Sequence, residues 1–173
     1  KVEGGDAMIN RYKEEFGLTG TLWEQYTRYM YQVIVKGDLG PSFIAFPTPV
    51  QDLLIKAIPW TVALLSVSIV ISWVLGLLIG SAAAWFRESP ISDAITNTSI
   101  ALSQVPSYLI ALFLVLFLGY QWKLLPTRGA FDGQYTIGWN WDFIKSVASH
   151  SILPVMAIVV VSLSGWILST RSL

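Results

Sequence analysis

Residues 57–86 read AIPWTVALLSVSIVISWVLGLLIGSAAAWF, with no Asp, Glu, Lys or Arg among them. A helix of about 20 apolar residues crosses the roughly 30 Å hydrocarbon layer of a bilayer, and this stretch is longer than that. Two more stretches lack the same four residue types, Ala94 to Trp122 and Ser146 to Thr170. Three such segments in 173 residues leave too little polar surface to cover them in water. The sequence therefore reads as an all-α, polytopic helical membrane protein. Its three transmembrane helices fall at about 59–85, 99–120 and 151–169.

Composition narrows the function. Net charge is zero, so no electrostatic footprint for nucleic acid exists. There is no cysteine, which excludes disulfides, thiolate metal sites and a thiol nucleophile. The chain opens on Lys1 with a polar, acidic stretch unlike a signal peptide, and it stops at Thr170-Arg171-Ser172-Leu173 just past an apolar run. Both ends read as cuts in a longer protein.

Residues 1–58 are amphipathic. Ile9, Tyr12 and Phe16 recur at helical spacing after Asp6, with Gly17 as a stop. Thr21-Leu22-Trp23-Glu24 has the form of a capping box, and the helix it opens places Leu22, Tyr26, Tyr29, Met30 and Val33 on one face before Gly37. Thr48-Pro49-Val50-Gln51 has the same form, opening a short helix with Val50, Leu53, Leu54 and Ala57 as its apolar face.

In the first span, Ser68, Ser72, Gly76, Gly80 and Ala84 recur every fourth residue. Lipid gives no hydrophobic drive for helices to associate, so a line of small residues that lets backbones touch is a packing face. After a turn at Arg87 to Asp93, the second span holds Pro106, with Ser103, Gln104 and Ser107 around it. Proline removes a backbone donor and kinks a helix. These polar groups either repair the kink by satisfying the freed carbonyl or line a water-filled translocation path. Residues 123–149 form a loop rich in glycine and aromatics, with Trp139 and Trp141 suited to the headgroup level. Asp142 to Ser149 reads as a short surface helix carrying Phe143, Ile144 and Val147. Pro154 falls in the first turn of the third span, and the lone His150 at its entrance reads as a hydrogen-bonded structural residue.

No nucleotide-binding glycine loop, metal-spaced His/carboxylate cluster or catalytic triad is present, so no catalytic, cofactor or metal residue is assigned. The spans contain no Asp, Glu, Lys or Arg of the kind that couples carriers to ion gradients. A scaffold and a pump powered by a partner both fit that absence. Charge orients the chain weakly: residues 1–58 hold six Lys and Arg, which by counting alone favours placing them in the cytoplasm.

Six short stretches in order give a more specific resemblance. They are Phe16-Gly17-Leu18; Leu22-Trp23, Gln25-Tyr26 and Arg28-Tyr29; Gly37-Asp38-Leu39-Gly40 with Ser42; Pro49-Val50 and Ile58-Pro59 with Thr61; Val105-Pro106-Ser107-Tyr108; and Leu124-Leu125-Pro126 with Gly129, followed by His150, Ile152-Leu153-Pro154 and a closing Thr170-Arg171-Ser172. Together they resemble the membrane permease subunit of a bacterial or archaeal ABC importer of the dipeptide/oligopeptide type. The resemblance implies that the three spans are the second, third and fourth of six. It implies that residues 1–58 are an extracytoplasmic amphipathic helical segment, that 59–173 is part of the permease transmembrane domain, and that the loop 123–149 faces outward. The first helix would precede Lys1 and the coupling loop that docks on the ATPase would follow Leu173.

The implied protein is a multi-pass protein of the cell (inner or cytoplasmic) membrane, not itself an enzyme. Its partners would be a second, homologous permease subunit, cytoplasmic ATPase subunits holding ATP and magnesium, an extracytoplasmic substrate-binding protein and the lipid bilayer. Its cargo would be peptides. Relatives with the same fold that carry oligosaccharides or nickel are the alternative, and a structural membrane subunit without transport is the alternative of another class.

Overall fold

The computed structural model describes residues 3–172, with side chains from residue 7 onward. Lys1, Leu173 and the side chain of Asp6 lie outside that range. The described chain is helical, in two compact units that divide between Pro59 and Trp60.

In the first unit, α1 (Glu3–Glu15) starts before Asp6 and leads Tyr12 and Phe16 into a ring cluster. Phe16 stacks on Phe43 with centroids 4.1 Å apart, and Tyr12 meets Phe46 edge-on at 5.2 Å. The helix α2 (Leu22–Tyr31) opens with the capping box: the Thr21 N–H donates to Glu24 Oε2 at 2.8 Å and the Glu24 N–H to Thr21 Oγ1 at 3.4 Å. It continues through a π-helical turn, Gln32–Lys36, and stops at Gly37, whose φ of 65° is open to glycine at little cost.

The Thr21 N–H and hydroxyl, aided by Arg28, hold the Glu24 carboxyl below its usual range. A depressed carboxylate stabilises the fold above its unfolded pKa, and that contribution is lost as pH falls through the folded value. Amide exchange at Thr21 to Gln25, corrected for intrinsic rates, should therefore accelerate modestly as pH falls below the ordinary value of 4.5. Glu24→Gln should abolish that pH step.

The second capping box does not form. Gln51 instead accepts the Leu39 N–H at 3.1 Å, while Val50 N–H donates to the Gly40 carbonyl and Ser42 N–H to the Thr48 carbonyl. The Gly37-to-Ser42 stretch thus folds against the start of the next helix and takes the side chain that a box would have used.

That helix, α3 (Val50–Trp85), runs unbroken through Pro59 for 36 residues. The expected short helix and first span are one element of about 54 Å, longer than the hydrocarbon is thick. Likewise α6 (Trp141–Ser172) absorbs the expected surface helix at Asp142 to Ser149, so the preceding loop ends at Asn140. Pro154 consequently sits well inside α6 and not in its first turn; it withholds a donor from the His150 carbonyl.

The middle crossing departs most from expectation. It is no single helix from Ser99 to Tyr120 but two arms: α4 (Pro90–Ser103), capped by Ser89 with Pro90 at its start, and α5 (Ser107–Leu114), extended by π-helical Val115–Gln121. The arms bend by 98° at the break. Each is only about 20 Å long, so they meet the length for a crossing only as a pair. α3 and α6 are two helices long and apolar enough to cross a membrane, and the bent pair makes a third crossing where its two arms count as one span.

α4 and α5 pack most extensively on α6, and α3 approaches α6 closely at two glycines. A Cβ on Gly76 would collide with Trp166, and one on Gly80 would lie 2.7 Å from Thr170 Cβ and 3.0 Å from the Ile167 carbonyl oxygen. Farther toward the other end, Trp60 stacks on Phe131 at 5.7 Å and Phe131 meets Phe143 edge-on at 5.1 Å. Contacts near both ends in matching order make α3 and α6 parallel, with the α4–α5 pair as the return path.

Candidate translocation site

Ser68 and Ser72 are fully buried on α3, and Gly76 and Gly80 follow on the same face. The serine hydroxyls donate to their own helix, Ser68 to the Leu64 carbonyl and Ser72 to the Ser68 carbonyl, both at 2.8 Å. Their polarity is satisfied before they meet a neighbour, so burial costs little. At the end of the line Ala83 is buried and Ala84 only partly so. Each four-residue step overshoots a 3.6-residue turn by about 40°, so a strictly four-spaced line drifts off the contact and the last step shortens to three. The Ala83 carbonyl accepts the hydroxyl of buried Ser92 at 2.7 Å, which locks the α3–α4 turn.

The residues around Pro106 sit at the 98° break. Ser103 is half-buried, whereas Gln104, Pro106 and Ser107 are exposed. The side chains of Ser103 and Gln104 do not supply the carbonyl that Pro106 leaves without its regular donor. That carbonyl, on Leu102, takes the Val105 N–H at 3.1 Å in a tightened last turn. Ser103 donates instead to the Ile100 carbonyl at 2.8 Å, and Gln104 Nε2 reaches Ser103 Oγ at 3.2 Å. Since backbone repairs the break, the Gln104 amide keeps hydrogen-bonding capacity toward whatever lies beside it.

A second polar locus was not singled out by sequence reasoning. The loop residue Gly129 and the α6 residues His150 and Pro154 line two adjoining cavities, of about 260 and 570 Å³. Arg128 is in the wall of the smaller, and Trp60 and Leu64 of α3 are in the wall of the larger. The loop is pinned to α6 by the Asp132 N–H donating to Ser146 Oγ at 2.8 Å. His150 Nδ1 lies 2.7 Å from the Ser146 carbonyl oxygen, which can only accept, so Nδ1 carries a hydrogen. The available signal was the pair of proline-bearing stretches, 124–129 and 150–154.

Among the described residues, no group of three or more His, Cys, Asp or Glu side chains is placed to hold a metal ion. The arrangement offers apolar crossings, a polar break and cavities beside the loop, which suits passage or gating of a solute.

Comparison with known proteins fixes the family. The sequence profile described as binding-protein-dependent transport system inner membrane component matches residues 76–173. The chain is 26% identical over 162 residues to the oligopeptide transport system permease protein AppB of Bacillus subtilis, covering 94% of this chain and 49% of that protein. It is 30% identical over 117 residues to the dipeptide transport system permease protein DppB of Lactococcus lactis, covering 68% and 38%. A third relative, the metal-staphylopine import system permease protein CntB of Staphylococcus aureus, is 26% identical over 122 residues, covering 70% and 39%. The chain thus spans about half or less of the length of these curated relatives. With its apolar spans and this match over more than half its length, the chain belongs to the family of binding-protein-dependent transport system inner membrane components.

Proposed function

We propose that the intact protein is the transmembrane permease subunit of an ATP-driven importer and passes peptides delivered by an extracytoplasmic binding protein. The observation that carries this reading is the family match over residues 76–173, which covers the end of α3 from Gly76 onward and all of α4, α5 and α6. The relatives named for oligopeptide and dipeptide transport support peptide as the cargo. In this reading ATP and magnesium reside in separate cytoplasmic ATPase subunits, and a second homologous permease completes the path. The first unit and the loop before α6 face outward, and the α3–α4 turn faces the cytoplasm. The cell membrane of a bacterium or archaeon is the setting. Substrate and ATP would each favour one of two conformations, as any coupling between them requires.

Deletion of the gene should remove uptake of labelled short peptides by cells, and the gene supplied in trans should restore it. Unchanged peptide uptake, with loss of uptake of an oligosaccharide or a chelated metal ion, would replace the cargo and keep the permease. Unchanged uptake of all three would favour a structural subunit.

We place the path at the 98° break, with Ser103, Gln104, Pro106 and Ser107 beside it. Gln104→Ala should then lower initial uptake several-fold while leaving subunit assembly intact, because the backbone and not Gln104 repairs the break. Pro106→Ala should change thermal stability as well, since it returns a donor to the Leu102 carbonyl. Normal uptake by Gln104→Ala would leave the break a purely structural feature.

A further inference from the structure

At the membrane end opposite Trp60, two arginines far apart in sequence wall one recess. Arg87 follows α3 and Arg171 lies in the last turn of α6. Arg87 Nη2 donates to the Arg171 carbonyl at 3.3 Å, and Arg171 Nη2 lies 3.3 Å from Asp93 Oδ1. The recess measures about 390 Å³, and the described residues in its wall are Arg87, Thr96, Leu168, Arg171 and Ser172, with no carboxylate among them.

The chemistry of the walls selects the ligand. Thr96 gives its hydroxyl hydrogen to the Ser92 carbonyl at 2.7 Å, and Ser172 gives its own to the Ser169 carbonyl at 2.8 Å. The recess is therefore left with guanidinium N–H groups as its donors among the described residues. Each guanidinium has five, and the contacts above engage one apiece. The Arg171 side chain is only 20% exposed while Asp93 is 66% exposed, so the carboxylate holds one edge of the guanidinium from outside. Two forked cations converging on one space match an acceptor with several oxygens, which is the geometry of phosphate. Leu168 adds an apolar wall beside them.

We infer that Arg87 and Arg171 hold the phosphate of an anionic phospholipid headgroup from the adjoining leaflet, wedged between the ends of α3, α4 and α6. Basic recesses between spans are where such headgroups bind, each basic residue strengthening the attraction. The site depends only on the membrane fold, so its fate is independent of the cargo.

The test uses the intact permease in phosphatidylcholine nanodiscs doped with phosphatidylglycerol, with retained lipid counted by native mass spectrometry. Retention of phosphatidylglycerol should fall about ten-fold or more in the Arg87→Gln/Arg171→Gln double variant. It should stay unchanged in Lys145→Gln, which lies toward the other membrane end. Asp93→Asn provides the control against misfolding: it removes a competing anion, so retention should rise two-fold or more. Equal retention in wild type and double variant, or a fall in Asp93→Asn, would overturn the site. Binding of inorganic phosphate in pure phosphatidylcholine discs, without preference for phosphatidylglycerol, would overturn the lipid source in favour of a soluble anion.

Discussion

Gly80→Leu should sharply reduce the yield of assembled, monodisperse permease, and Gly76→Leu should do the same. A single Cβ on Gly80 already falls 2.7 Å from Thr170 Cβ and 3.0 Å from the Ile167 carbonyl oxygen. These neighbours are a branched side-chain stem and backbone, which cannot swing aside. A whole isobutyl group must therefore push α3 and α6 apart. Overpacking of this kind costs about 1–3 kcal/mol in well-packed cores, and rigid neighbours put this case at the upper end. Relief from the low helix propensity of glycine, about 1 kcal/mol, opposes the loss without cancelling it. Two controls separate crowding from a general intolerance of change. Gly165 on α6 has open space where its Cβ would stand, so Gly165→Ala should leave assembly unchanged or slightly improved. Leu77→Ile, off the buried line, should matter little. Assembly of Gly80→Leu at wild-type yield would remove the glycine line from its role at the α3–α6 contact.

The glycine line was legible in sequence because small residues at helical spacing inside an apolar run have one good use in lipid. Its partner was not. Trp166 and Thr170 are about ninety residues away, and no local pattern couples them to Gly76 and Gly80. The apolar runs of α3 and α6 likewise marked two spans, yet misjudged where the helices begin. Hydropathy ends where charges such as Lys56 and Lys145 appear, whereas backbone hydrogen bonding carries the helix on past them. Pro106 announced a break without its size, since a kink of twenty degrees and one of 98° begin with the same missing donor. Gln51 shows the reverse failure. Its spacing from Thr48 satisfies a local rule, but the Leu39 N–H, brought near by the Gly37-to-Ser42 turn, takes its oxygen. The Asp93–Arg171 pair bridges the same kind of sequence distance and was invisible for the same reason.

Transport by the intact protein should stop completely when its ATPase partner binds ATP but cannot hydrolyse it. Between Ala57 and Phe86, Ala94 and Trp122, and Ser146 and Thr170 there is no Asp, Glu, Lys or Arg to carry a coupling proton or sodium ion across the bilayer. The chain's one histidine, His150, donates a hydrogen bond from Nδ1 to the Ser146 carbonyl within its own helix. A lone imidazole tied in this way is no relay across about 30 Å of hydrocarbon. In the proposed reading work enters from outside these segments, through an ATP-hydrolysing partner. Gradient-driven carriers lose rate when a membrane potential or proton gradient is collapsed. Here, collapse of either should leave the initial rate unchanged so long as ATP is hydrolysed.

The most direct measurement is uptake of cargo into proteoliposomes that hold the intact permease, its ATPase and its binding protein, with ATP supplied on the ATPase side. Uptake should require ATP, and it should vanish when the catalytic glutamate of the ATPase is replaced, whatever proton gradient is imposed. Uptake driven by a proton gradient in the presence of the inactive ATPase would contradict the account.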